Sequence, residues 1–155
     1  MKIAEPDLRR TNGPGGDVPM AAGTARILVV EDEPTVRDVL RLLLSSGGHS
    51  VVCASRGDEG LRTFQQAPDR FDLVITDSKM PGLPGEKMVA VIRRVRPKVP
   101  ILMLSGFGDR RMEEQAKAVG IDCFLAKPIG RRELMTAVDR LLRAEKRCNA
   151  IPIQK

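Results

Sequence analysis

Glu31, Asp32, Asp77, Ser105 and Lys127 each fall where an apolar, strand-like segment of the chain gives out. The carboxyl ends of parallel strands share one edge of a sheet, so residues far apart in sequence can meet in a crevice there. Three carboxylates, a hydroxyl and an ammonium gathered at such an edge describe a site for a divalent cation and a phosphoryl group. Glu31 and Asp32 follow RILVV, and Asp77 follows FDLVIT; neighbouring strands would crowd their carboxylates. Two such charges ~5 Å apart repel by roughly 3 kcal/mol at an effective dielectric of 20, so something must neutralise them. Mg2+ is the economical answer, because it takes hard oxygen ligands from one or two carboxylates and keeps positions for water and phosphate oxygens. Lys127, a compact cation on a flexible stem, suits a phosphate oxygen. The Ser105 hydroxyl could bond a phosphoryl group made on a nearby strand or serve as a plain turn residue before Gly106, and its place at the same edge favours the first. Glu33, beside Pro34, reads only as the start of a helix.

Five apolar segments, RILVV, SVVCA, FDLVIT, VPILML and CFLA, have the near-continuous hydrophobicity of strands covered on both faces. Between them lie segments with helical spacing. In PTVRDVLRLLLSS, Val36, Val39, Leu40 and Leu43 form one stripe, Pro34 suits the first turn, and Gly47 and Gly48 stop the helix. Further helices are expected over about 57–67, 85–95, 109–119 and 130–146. Strict alternation of this kind implies an α/β fold, a parallel sheet built from right-handed crossovers with helices on both faces.

At 155 residues the chain fits one domain able to bury its own core. Residues 1–25 are rich in Gly, Pro and Ala without periodicity and read as a flexible leader, with the domain over 26–147 and a flexible tail over 148–155. Cys53, Cys123 and Cys148 are odd in number and widely spaced, which argues against a disulfide framework or a zinc site. No signal-peptide stretch or bilayer-length apolar run occurs, so the expected location is the cytoplasm, without membrane attachment. The formal charge of +6 comes from Arg93, Arg94, Arg96, Lys98, Arg110, Arg111 and the stretch from Arg131 to Arg147. With little aromatic content for base stacking, this favours solvated helix faces or a protein-docking surface over a nucleic-acid footprint. His49, the single histidine, reads as a surface or turn residue, and Cys53 and Cys123 as small buried apolar ones.

LVVEDEP, LVITDSKMPGLPG, PILMLSG and FLAKPI, in this order, resemble the signature blocks of two-component response-regulator receiver domains. The resemblance implies a flavodoxin-like (βα)5 fold with strand order 2-1-3-4-5. It implies that Asp77 is the phospho-acceptor, taking a phosphoryl group from a phosphohistidine. Mg2+ would be held by Asp32, by Glu31 mainly through water, by Asp77 and by the backbone carbonyl of Lys79. Lys127 would contact the phosphoryl group, Ser105 would turn toward it after transfer, and Phe124 would be the aromatic switch that moves with Ser105. The bond between Lys127 and Pro128 would be cis. The chain departs from the common pattern at Glu31, where Asp is usual, and at Phe124, which lacks a phenolic hydroxyl. Lys79 adds a cation at the mouth of the site that could alter the acyl-phosphate lifetime.

The expected function is therefore a signalling switch and not an enzyme. Its partners would be a sensor or hybrid histidine kinase or a phosphotransfer protein, together with a downstream protein. With about a dozen residues after Ala144, no direct DNA binding is expected, and the state would be a monomer or a phosphorylation-dependent dimer. The alternative is a Mg2+-dependent phosphohydrolase using an aspartyl-phosphate intermediate. That class wants a second Asp two residues past the nucleophile, where this chain has Lys79.

Overall fold

The computed structural model describes residues 24–106, 114–115 and 117–150, with side chains to 144. Five strands, β1 (Arg26–Val30), β2 (Ser50–Ala54), β3 (Leu73–Asp77), β4 (Ile101–Ser105) and β5 (Cys123–Ala126), form one parallel sheet in the order β2-β1-β3-β4-β5. The helices are α1 (Pro34–Ser46), α2 (Gly57–Gln66), α3 (Gly85–Val95) and α4 (Arg131–Ala150), with a single 3-10 turn at Pro68–Arg70. Within the helix expected over 109–119, residues 114, 115, 117 and 118 are helical and Val119 is already in a turn; the others lie outside the described residues, as do residues 1–23, Arg110, Arg111 and 151–155.

The two-residue period of the strands sorts their side chains into two cores. Ile27, Val29, Leu73, Ile75, Leu102 and Leu104 point to one face and meet Leu40 and Leu44 of α1 and Leu134, Val138 and Leu141 of α4. Leu28, Val30, Val74, Ile101 and Met103 point to the other and meet Phe64 of α2 and Met88, Val89 and Ile92 of α3. Both faces are covered, which is why the strands are continuously apolar. Each fully buried Val, Leu or Ile contributes on the order of 1.5–3 kcal/mol through removal from water. The Phe64 and Phe71 rings stack at 5.9 Å in the second core.

Four expectations change. In α1 the buried ridge is Leu40 and Leu44, flanked by Val36 and Leu43, while Val39 is 46% exposed: it falls at the margin of a stripe whose centre follows the i, i+4 row. Arg93 and Arg96 are not solvated. The Arg93 guanidinium donates to the Gly120 carbonyl and pairs with Asp122 at 2.7 Å, and Arg96 donates to the carbonyls of Pro68 and Phe71, so both staple loops at the amino edge of the sheet. Cys53 and Cys123, on the edge strands β2 and β5, are only half-buried. His49 is buried, because its Nδ1 accepts the backbone N–H of Ala25 at 3.1 Å, and the Ala25 carbonyl in turn accepts from Ser50 N–H. Ala25 is thereby built into the start of β1.

Burial lowers the His49 pKa below the ordinary 6.5, against the opposing charges of Asp139 and Asp72. The folded protein therefore binds this proton less readily than the unfolded chain does. Its contribution is complete above the unfolded value and is lost as pH falls from there through the lowered folded value. His49→Asn keeps an acceptor for Ala25 and removes the titration. Between pH 7.5 and 5.5 the wild type is expected to lose more stability than this variant in urea unfolding followed by far-UV circular dichroism; equal losses would refute the assignment.

Candidate functional site

β1 and β3 are neighbours, with Val30 opposite Thr76, so the next residues of each strand, Glu31 and Asp77, emerge side by side at the carboxyl edge. Glu31 N–H extends the ladder by one step to the Ala54 carbonyl, 3.0 Å away, which carries the Glu31 backbone into the sheet and leaves its side chain fully buried. Asp77 ends β3 and is 6% exposed. Lys127 leaves β5 hydrogen-bonded through its N–H to the Ser105 carbonyl at 2.6 Å, and the Lys127–Pro128 bond is cis.

These positions converge. Lys127 Nζ lies 3.0 Å from Glu31 Oε1 and 3.1 Å from Asp77 Oδ2, a single ammonium between two buried carboxylates. Glu31 Oε2 accepts the N–H of Glu33 at 3.1 Å, and Asp77 Oδ1 lies 3.5 Å from the N–H of Lys79. One carboxylate oxygen each of Glu31, Asp32 and Asp77 lies within 4.8 Å of the others, and Asp32 is the least covered of the three. Glu31 Oε1 has the charge of Lys127 beside it but no directed hydrogen bond among the described residues. Hard oxygen donors at this spacing, one of them buried and under-coordinated, fit Mg2+.

The electrostatics are those of crowded charge. Burial raises the Glu31 pKa above 4.5, opposed by the Glu33 N–H; the charge of Asp77 raises it further, and Lys127 pulls it down. For Lys127, burial acts to lower the pKa, yet its close contacts with the Glu31 and Asp77 carboxylates and their two charges together carry it above 10.5. The ammonium is held charged by the carboxylates it bridges.

Ser105 ends β4, 2% exposed, opposite Ala126 and so one residue from Lys127. Phe124, opposite Met103, is half-buried against the core formed with α2 and α3. The Lys79 side chain is exposed. Two positional requirements had no sequence reading. A Cβ at Gly85 would fall 2.3 Å from the Asp77 carbonyl oxygen, and one at Gly57 would fall 1.8 Å from that of Leu83, so the loop after Asp77 is clamped between the starts of α2 and α3 only because both are glycine. Arg37 of α1 donates from Nη1 to the carbonyls of Glu31 at 3.0 Å and Asp32 at 3.5 Å.

This edge-of-sheet acidic site with a bridging lysine defines a class. The family model for the response regulator receiver domain matches residues 27–139, and the chain belongs to that family, a component of two-component signalling. Among solved structures, it is similar to a response regulator receiver domain protein from Clostridium thermocellum, with 34% identity and a TM-score of 0.76 over 80% of this chain and 98% of that one. It is also similar to the chemotaxis protein CheY4 of Vibrio cholerae, with 32% identity and a TM-score of 0.72 over 76% of this chain and 98% of that one. Among curated proteins, the transcriptional regulatory protein GlrR of Escherichia coli K12 is 36% identical over 79% of this chain and 27% of its own length. ResD, a transcriptional regulatory protein of Bacillus subtilis, is 35% identical over 76% of this chain and 48% of its own. The chain thus spans about a quarter to a half of these curated relatives.

Replacing Lys127 by Met leaves two buried carboxylates facing each other without their cation. In metal-free buffer at pH 7.5 the variant is expected to lose about 1–3 kcal/mol of stability, the usual cost of stranding a buried polar partner. The Glu31 carboxyl, already held above 4.5 by burial, loses the opposing pull of Lys127 and stays above its unfolded value, so the variant's stability recovers as pH falls through the raised folded value. Urea unfolding at pH 7.5 and 5.5 checks this; a deficit that grows on acidification would contradict it.

Proposed function

We propose that Asp77 is the phospho-acceptor of this receiver. The observation that carries the reading is the Lys127 ammonium 3.1 Å from Asp77 Oδ2, with Glu31 and Asp32 beside it. Mg2+ held by Asp32, Asp77 and the Lys79 carbonyl, and by Glu31 through water, would neutralise charge on the transferring group. An Asp77 carboxylate oxygen attacks the phosphorus of a phosphohistidine; a P–O bond forms, the P–N bond breaks, and the imidazole leaves with the electron pair and takes up a proton from solvent. Lys127 then holds a phosphoryl oxygen, exchanging part of its contact with Asp77 for the new negative charge. The Ser105 hydroxyl turns to a second phosphoryl oxygen, and Phe124 repacks in the space this opens, biasing the surface around β5 and α4 between two states.

On this reading the protein acts as a switch and not as a turnover enzyme, with the receiver spanning 26–147. Its partners are a histidine kinase or phosphotransfer protein upstream and a protein target downstream, in the cytoplasm, as a monomer or a phosphorylation-dependent dimer. No described helix is long and apolar enough to cross a membrane. The curated relatives are named as transcriptional regulatory proteins and are longer than this chain, so the expectation of no DNA binding is not carried forward.

Incubation with Mg2+ and acetyl phosphate, followed by intact mass measurement, is expected to show one labile phosphoryl adduct on the wild type and none on Asp77→Asn or after chelation. An adduct of equal yield on Asp77→Asn would overturn the assignment.

A further inference from the structure

Arg37 places a guanidinium against the Glu31–Asp32 loop without an ion pair to a carboxylate among the described residues. Its Nη1 instead donates to the main-chain carbonyls of Glu31, 3.0 Å away, and Asp32, 3.5 Å away. It stands in the first turn of α1, and helical side chains lean toward the amino end of their helix, which carries the guanidinium back over the loop that leads into that helix. That loop is also anchored on either side of Asp32, by Glu31 N–H to the Ala54 carbonyl and by Glu33 N–H to the Glu31 carboxylate oxygen Oε2. Asp32 itself is the least covered of the three acids.

We infer that Arg37 is a positioning residue for the cation site, fixing the peptide planes of Glu31 and Asp32 so that their carboxylates and that of Asp77 stand ready to share one Mg2+. The inference rests on the reading of these acids as Mg2+ ligands. It runs against the simplest electrostatic expectation. A cation beside a Mg2+ site should weaken Mg2+ binding through its charge, so removing it should tighten binding. A residue that orients ligands from behind does the opposite when lost, and outer partners of this kind typically cost tenfold or more in metal affinity. The sign of the effect therefore separates the two roles.

The test is Mg2+ titration of the full chain by calorimetry for the wild type, Arg37→Met and Arg37→Lys, with metal-free thermal unfolding and amide chemical shifts recorded for each. Arg37→Met is expected to bind Mg2+ roughly tenfold more weakly, with metal-free shifts moved chiefly at residues 31–33. Arg37→Lys, which keeps the charge and one or more donors, is expected to fall between. Unchanged or tighter binding by Arg37→Met would overturn the positioning role while leaving the Mg2+ reading intact. Absence of Mg2+ binding by the wild type would overturn both. Should Arg37→Met fail to fold, Arg37→Lys decides: equal affinity with the wild type refutes the role, and weaker binding at unchanged charge supports it.

Discussion

The charge balance at the carboxyl edge of the sheet constrains everything around it. Glu31 and Asp77 are buried carboxylates at the ends of adjacent strands, and one ammonium, Lys127, stands within 3.1 Å of both. With Asp32 added, three acids gather within 4.8 Å of one another, and among the described residues Lys127 is the cation ion-paired with two of them. Such an arrangement is stable only if its geometry is held by groups outside it, and it retains affinity for further positive charge. The protein is thereby poised for a divalent cation and, once that is bound, for the anionic group the cation can neutralise.

The scaffold supplies that rigidity from several directions. Parallel register fixes Glu31 beside Asp77, and the bond from Lys127 N–H to the Ser105 carbonyl fixes the lysine beside the hydroxyl. Gly57 and Gly85 let the starts of α2 and α3 close on the loop after Asp77, and Arg37 ties down the loop after β1. The opposite edge is stitched by Arg93, Arg96 and the His49–Ala25 bond, leaving the carboxyl edge as the place where charge is unbalanced and change is cheap.

Much of this was legible in the sequence because it depends on local pattern. Apolar runs of four to six residues, helical spacing and the residue types at strand ends place the fold and gather Glu31, Asp32, Asp77, Ser105 and Lys127 at one edge. What escaped depends on contacts between distant segments. The burial of His49 comes from Ala25, 24 residues away, and Arg93 meets Gly120 at a separation of 27. Composition assigns such arginines to solvent, since nothing nearby reveals the carbonyls they bind. Arg37 offered a signal that could have been used: an arginine one turn into a helix, directly behind an acidic loop.

The central claim is that the three acids are a destabilising cluster completed by a divalent cation. Thermal unfolding of the wild type and Asp77→Asn, each with chelator and with saturating Mg2+, tests it most directly. The account predicts that Asp77→Asn is the more stable of the two without metal, that Mg2+ raises the midpoint of the wild type, and that most of this gain is lost in the variant. A metal-free wild type more stable than the variant, with no rise on adding Mg2+, would contradict it.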